Sequence, residues 1–147
     1  DASFMKMLAE ALRKLGRKRA LVVHGAGGLD EATLAGENQF VLLDGGEISS
    51  FSLSPEDAGL PEYPVEAICG GGPRENAEIL LNVLKGKKSA YYDTVLLNAG
   101  LGIYTSGKAG NIREGIEMAR ESIESGQAYE RLQYLIEYSK KIPGGVV

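Results

Sequence analysis

Residues 20–31 are Ala-Leu-Val-Val-His-Gly-Ala-Gly-Gly-Leu-Asp-Glu, a segment that indicates the fold class. Its apolar run, residues 20–23, predicts a β-strand of the parallel type, buried on both faces. A loop with three glycines follows the strand and ends on two adjacent acids, Asp30 and Glu31. Because helical patterns lie on both sides of this strand, the sequence predicts an α/β fold.

The segments that flank this stretch extend the prediction. Upstream, a helix is indicated between a candidate N-cap, Ser3, and a stop, Gly16; its apolar face contains Phe4, Met5, Leu8, Leu12 and Leu15. Downstream, two apolar segments, residues 40–43 and 48–53, flank Asp44-Gly45-Gly46. Glycines in such a turn allow the positive φ angles of a tight loop, so a β-hairpin is predicted there.

The remaining sequence is dominated by helical patterns. Ser54 to Asp57 resembles a cap and a first helical turn, and four helices are predicted after it. Their apolar positions are Ala77, Leu80, Leu81 and Leu84; the almost wholly apolar residues 93–105; Ile116, Ala119 and Ile123; and Leu132, Leu135 and Ile136. Pro143-Gly144-Gly145 indicates a frayed tail. We therefore predict one α/β domain over residues 1–147, with helices around a small mixed sheet that contains one β-hairpin and that is completed by strands from sequence outside this chain.

Composition excludes several classes of function. The formal net charge is −4 over 147 residues, which disfavours non-specific binding to nucleic acid. The basic cluster at residues 13–19 ends a predicted helix, where cations are favoured in any case. No apolar run approaches the roughly 20 residues that cross a bilayer, so no membrane span is predicted. The single cysteine, Cys69, cannot form an internal disulfide, and we expect a cytoplasmic protein.

The loop at residues 25–31 admits two interpretations. A dinucleotide fingerprint is disfavoured, because Asp30 stands where its third glycine belongs and would repel a pyrophosphate placed on it. Adjacent carboxylates can instead bind Mg²⁺, which prefers one or two protein carboxylates together with water and phosphate oxygens. Alternatively, Asp30 and Glu31 only begin a short helix, where acidic residues are stabilised by the helix dipole. Spacing alone favours this second interpretation.

Other motifs give weaker indications. Residues 102–109 approach a Walker A loop, but Ala109 replaces the Ser or Thr that must bind Mg²⁺, and a helix precedes the motif. The Gly70-Gly71-Gly72 loop is interpreted as structural. His24, the only histidine, lies at a strand end, where a solitary histidine is usually structural; beside the acidic loop it could also carry a proton near neutral pH, although no partner is evident. Asn98, within an apolar helix, is interpreted as a hydrogen-bonding residue and not as a ligand.

Five segments together resemble the anthranilate phosphoribosyltransferases. Residues 20–31 are similar to the family's V-H-G-x-x-G-L-D-E segment, and residues 54–60 to its P-E-D-F-G-L segment, with Ala58 in place of Phe. The other matches, in the same order along almost the whole chain, are Gly70-Gly71 with Asn76-Ala77, Leu96-Leu97-Asn98-Ala99, and Arg113-Glu114-Gly115 with Ser125-Gly126. Pro73 departs from the family pattern.

The resemblance implies the activity and the metal site. Such enzymes transfer phosphoribose from phosphoribosyl pyrophosphate to anthranilate in tryptophan biosynthesis, and their Asp-Glu pair binds magnesium. Asp30 and Glu31 would then be metal ligands, with Mg²⁺ as cofactor. The family's G-T-G-G-D and K-H-G-N segments are not in this sequence, so we expect a C-terminal part that is inactive alone and belongs to a homodimeric enzyme. Two alternatives remain open: a non-catalytic module of the same family that binds a ligand or nucleic acid, and a related nucleoside phosphorylase.

Overall fold

The computed structural model describes residues 1–141, which form a sheet between one helix and a larger helical layer. Three strands of this part of the chain pair in the order β1-β2-β3: β1 (Arg19–His24), β2 (Asn38–Asp44) and β3 (Glu47–Leu53). All pairs are antiparallel, with β1 registered against β2 from Arg19↔Asp44 to His24↔Gln39. The predicted β-hairpin is confirmed, and its turn contains Gly45 at φ 58° and Gly46 at φ 96°.

Within residues 1–141, β1 pairs antiparallel with its neighbour β2, and the three described strands include no parallel pair; the further strands that were expected to complete the sheet lie outside this chain. A parallel pair needs a crossover connection, usually a helix, whereas residues 25–37 form a compact loop that turns the chain back. The apolar run in β1 reflects cover on both faces, which is independent of strand direction. Val22 packs towards the first helix, and Leu21 and Val23 pack towards the larger helical layer. Each β1 residue is nevertheless only half-buried.

Six α-helices occur within residues 1–141. They are α1 (Met5–Lys14), α2 (Pro55–Ala58), α3 (Pro73–Leu84), α4 (Ala90–Thr105), α5 (Ile112–Glu124) and α6 (Gln127–Ser139). Single 3-10 turns occur at Ala2–Phe4, Ala26–Gly28 and Val65–Ile68. None of the described helices is both long and apolar enough to cross a membrane. The predicted tail at residues 143–145 lies outside the described residues.

Helix α4 is the centre of the core, as its apolar composition predicts. Its Leu96 and Leu97 are fully buried and belong to a cluster that also contains Phe40 of β2. Helix α5 packs closely on α4 at two glycines. A Cβ on Gly100 would lie 2.7 Å from the backbone nitrogen of Ile116, and a Cβ on Gly115 would overlap the carbonyl of Gly100. The α4–α5 contact therefore depends on backbone approach as well as on side-chain packing.

The predicted apolar faces of α1, α3 and α6 are only partly correct. Helix α1 buries Met5 and Ala9 against the sheet, while Phe4, Leu8 and Leu15 are exposed. In helix α3, Val83 is buried, whereas Ala77 and Leu80 are exposed. In helix α6, Leu132 is half-buried, whereas Leu135 and Ile136 are exposed. These helices carry apolar residues over more than one face, and the described part of the chain covers only a portion of each.

The cap predicted at Ser54 is confirmed, and the one predicted at Ser3 is wrong. Ser54 and Asp57 form a reciprocal capping box at α2, and the Asn111 side chain accepts a hydrogen bond from the Glu114 backbone N–H at α5. Ser3 is not an N-cap, because the Asp1 carboxylate accepts a hydrogen bond from the Ser3 backbone N–H and starts a 3-10 turn there.

Candidate metal centre

Asp30 and Glu31 lie in the loop that joins β1 to β2, just beyond the end of β1. Both residues are exposed, and no helix follows them. The interpretation that they begin a short helix is therefore wrong. Neither carboxylate belongs to an ion pair within residues 1–141. Both are consequently available to a cation.

Glycines give the loop its shape. Gly27 and Gly28 have φ angles of 78° and 82°, in the left-handed region that favours glycine. Gly25 is needed for a different reason, because a Cβ there would overlap the carbonyl oxygen of Glu31. A hydrogen bond of 3.0 Å from the Gly25 N–H to the Leu29 carbonyl closes the loop. The glycines thus bring the acidic pair back against the end of β1.

The side chain of Asn38, fully buried at the start of β2, joins the two ends of the loop. Its Oδ1 accepts hydrogen bonds from the backbone N–H groups of Ala26, at 3.2 Å, and Thr33, at 2.8 Å. Its Nδ2 donates to three carbonyls, the shortest bond being 2.9 Å to Thr33. Asn38 therefore satisfies backbone groups that would otherwise be buried without partners.

Asn98 of α4 holds the loop immediately after the acidic pair. Its Oδ1 accepts a hydrogen bond of 3.1 Å from the N–H of Ala32, and its Nδ2 donates one of 2.8 Å to the carbonyl of Ala32. A third bond of 3.1 Å joins Nδ2 to the carbonyl of Thr94 within α4. The hydrogen-bonding role predicted for Asn98 is confirmed, although the residue is half-buried.

A cavity of about 290 Å³ lies beside the acidic pair, between α3 and α4. Glu31 is part of its lining, with Ile79 and Val83 of α3 and Tyr91 and Thr94 of α4. Glu31 therefore borders a concave, largely apolar surface. Asp30 is not part of that lining.

The Gly70–Gly72 loop, at the edge of this cavity, has the structural role that was predicted. Asn76 accepts a hydrogen bond of 2.9 Å from the Gly71 N–H and donates one of 2.9 Å to the Gly71 carbonyl. The loop is fixed on the first turn of α3, where Pro73 occupies an early position that needs no N–H partner.

His24 and the segment at residues 102–109 do not form part of the candidate site. His24 is half-buried at the end of β1, opposite Gln39. Gly107, with φ 78°, follows the end of α4, so the segment that approaches a Walker A loop is a helix C-terminus and not a phosphate-binding loop after a strand.

The donor set fits a hard divalent cation that retains other oxygen ligands. Within residues 1–141 no group of three or more His, Cys, Asp or Glu side chains is placed to enclose a metal ion. An exposed pair of carboxylates can supply one or two ligands, and Mg²⁺ commonly completes its octahedron with water and phosphate oxygens. The geometry therefore suits a metal bound jointly with a phosphorylated ligand, and suits a fully protein-enclosed metal poorly.

The first 129 residues match a known protein family, described as "Glycosyl transferase family, a/b domain". The chain belongs to this glycosyl transferase family. A relative within the curated proteins, the anthranilate phosphoribosyltransferase of Exiguobacterium sibiricum, is 59% identical over 131 residues. That match covers 89% of this chain but 39% of the relative. The chain thus spans about two fifths of the length of the relative that it matches.

Solved structures of family members show the same fold. The anthranilate phosphoribosyltransferase of Thermus thermophilus matches with a TM-score of 0.86 and 42% identity, over 94% of this chain and 40% of that one. The Saccharomyces cerevisiae enzyme, in complex with PRPP and Mg, matches with a TM-score of 0.85 and 31% identity, over 93% and 40% of the two chains.

The motif at residues 29–31 indicates the acidic pair, whereas the side chains that hold its loop are only partly evident from the sequence. Asn38 was not singled out, although a polar residue directly before an apolar strand is a recognisable signal. Asn98 was singled out without its partner, because Ala32 is 66 positions away.

Proposed function

We propose that this chain is the C-terminal part of the α/β domain of an anthranilate phosphoribosyltransferase. The complete enzyme would transfer phosphoribose from phosphoribosyl pyrophosphate to anthranilate, giving N-(5-phosphoribosyl)anthranilate and pyrophosphate in tryptophan biosynthesis. The observation that carries the proposal is the exposed pair Asp30 and Glu31, free of ion pairs within residues 1–141 and held on a fixed loop. The choice of phosphoribosyl pyrophosphate and anthranilate as substrates is supported by the similar proteins, which are named anthranilate phosphoribosyltransferases.

In this proposal Asp30 and Glu31 bind a magnesium ion through their carboxylate oxygens. A magnesium ion there would offset the negative charge that develops on pyrophosphate as it leaves. Asn38 and Asn98 fix the backbone on both sides of the pair, so the carboxylates remain in place without a bound ligand. Glu31 is also part of the lining of the cavity between α3 and α4.

The other parts of the proposal concern the complete enzyme. We expect residues 1–147 alone to show no turnover, a homodimer as the active assembly, and a cytoplasmic location. A non-catalytic module that binds a ligand or nucleic acid and a nucleoside phosphorylase are less well supported, because the matching relatives are named for the transferase activity.

The test is a charge-neutralising substitution in the complete enzyme. Glu31→Gln removes a candidate ligand, and Glu37→Gln makes the same change at an exposed position of the same loop. Turnover should fall by roughly tenfold or more, and the magnesium concentration for half-maximal rate should rise, only in Glu31→Gln. If the two variants have the same kinetics and the same magnesium dependence, the metal assignment is wrong.

A further inference from the structure

We propose that Asn98 is a positioning residue for the carboxylate of Glu31, an inference that rests on the proposed function. Its two hydrogen bonds to Ala32 reach successive peptide units, since the N–H belongs to the Glu31–Ala32 peptide and the carbonyl to the next one. The orientation of the peptide that leaves Glu31 is therefore fixed by a side chain from α4.

The opposite side of this peptide is fixed as well. The Glu31 carbonyl lies against the backbone of Gly25, where no Cβ would fit. Ala32 and Thr33, the next residues, are almost completely buried. The Glu31 backbone is thus enclosed between the end of β1 and α4, while its side chain remains exposed to solvent.

An amide is the side chain that meets this geometry. Asn98 uses one acceptor oxygen and both Nδ2 protons, towards Ala32 and Thr94. Aspartate would have no donor and would direct its charge at two carbonyls, near the acidic pair. Serine can still bond the carbonyl one helical turn earlier but is too short to reach the loop.

The consequence for metal binding is preorganisation. Two adjacent carboxylates repel each other, and a mobile loop would separate them and would lose conformational entropy on binding a cation. Residues that orient metal ligands typically contribute about 10- to 100-fold in metal affinity or activity. We expect a loss of that size when the Asn98 amide is removed.

Asn38 is less suitable for the test, although it holds the same loop. It is fully buried and makes five hydrogen bonds, so its removal would destabilise the fold generally. Asn98 is half-buried, and a substitution can remove its hydrogen bonds to the loop while one within α4 is retained. Asn98→Ser retains a bond inside α4 and loses those to the loop, and Asn98→Asp retains the side-chain shape.

The experiment compares four variants of the complete enzyme: Asn98→Ser, Asn98→Asp, Glu31→Gln, and Ile123→Val as a core variant on α5. Binding of Mn²⁺ with phosphoribosyl pyrophosphate is measured by calorimetry, together with the melting temperature and the magnesium dependence of turnover. Both Asn98 variants should bind Mn²⁺ about 10- to 100-fold more weakly. Excess magnesium should restore much of the turnover of Asn98→Ser, whereas Ile123→Val should lower only the melting temperature.

The outcomes separate the two proposals. If Glu31→Gln weakens Mn²⁺ binding and the Asn98 variants lower only the melting temperature, Asn98 has a purely structural role and the positioning proposal is wrong. If Glu31→Gln itself binds Mn²⁺ normally, the metal assignment under the proposed function fails first. If Glu31→Gln, Asn98→Ser and Asn98→Asp all bind Mn²⁺ more weakly, the result supports both the metal assignment and the positioning role of Asn98.

Discussion

The backbone of Gly25 lies against the carbonyl oxygen of Glu31, with no room for a Cβ between them. Gly25 itself has ordinary dihedral angles, φ −72° and ψ 153°, so glycine is needed there for space and not for conformation. A small residue at the end of β1 therefore determines how closely the acidic loop approaches the sheet.

Gly25→Ala should consequently displace the acidic loop. The added methyl group must move the Glu31 peptide, which weakens its bonds to Asn98 and costs about 1–3 kcal/mol of stability as an overpacked contact. Both the melting temperature and the affinity for Mn²⁺ of the complete enzyme should fall. Gly72→Ala is the control, since nothing lies within 4 Å of a Cβ there. Normal metal binding by Gly25→Ala would show that this contact does not position the pair.

The α4–α5 contact gives a second prediction. Gly100→Ala places a methyl group against the backbone of Ile116 and should destabilise the enzyme by about 1–3 kcal/mol. Gly102→Ala, on the same helix, meets nothing within 4 Å and should stabilise it by up to about 1 kcal/mol through helix propensity. Chemical denaturation measures both. Equal effects of the two substitutions would contradict the close helix approach.

Removal of Asn38 should be costly. Asn38→Leu retains the approximate volume but leaves the Thr33 N–H and neighbouring carbonyls without their partner in a buried site. Each unsatisfied buried group costs roughly 1–3 kcal/mol, so a substantial fall in melting temperature is expected. Gln39→Leu changes an exposed neighbour on the same strand and serves as the control. A similar melting temperature for both variants would exclude Asn38 as a loop anchor.

An ion pair between the turn that precedes α4 and the end of α5 predicts a pH dependence. Lys88 Nζ lies 2.7 Å from Glu124 Oε1 and donates to the Tyr92 hydroxyl at 2.8 Å. The hydrogen bond from Lys88 lowers the pKa of Glu124 below its ordinary value of 4.5. A carboxylate with a lowered folded-state pKa stabilises the fold above its ordinary pKa, and that contribution is lost as the pH falls through the folded-state pKa.

Glu124→Gln should therefore lower the melting temperature near neutral pH, and its difference from the wild type should shrink as the pH falls below 4.5. Both side chains are about half exposed, so the effect should be small and should decrease in high salt. Glu121→Gln, on the exposed surface of α5, is the control. A difference that grows at low pH would contradict the assigned sign.

The sequence predicts those features that depend on local pattern. Helix α4, helix α5 and the hairpin are examples, because each is specified by residues that are close together in the sequence. These are the apolar residues 93–105 for α4, the spacing of Ile116, Ala119 and Ile123 for α5, and Gly45 and Gly46 for the hairpin. The direction of β1 is different, because the same apolar run suits any strand covered on both faces. Its antiparallel pairing follows from the compact loop after it, whose shape depends on Asn38 and Asn98.

The same reasoning explains what the sequence shows of the candidate site. The acidic pair is visible from its motif, whereas its exposure requires knowledge of the surrounding packing. The bonds between Asn98 and Ala32 join positions 66 apart, and no local pattern connects them. The exposure of apolar residues on α1 and α6 also could not be predicted, because hydrophobic spacing identifies an apolar face but not what covers it.

The most direct test of the central claim is crystallographic. The complete enzyme would be crystallised with Mn²⁺ and phosphoribosyl pyrophosphate, and the ion located by its anomalous scattering. We predict a peak roughly 2.0–2.6 Å from carboxylate oxygens of Asp30 or Glu31, shared with the pyrophosphate group. Ions bound only elsewhere, with both carboxylates facing solvent, would contradict the metal assignment.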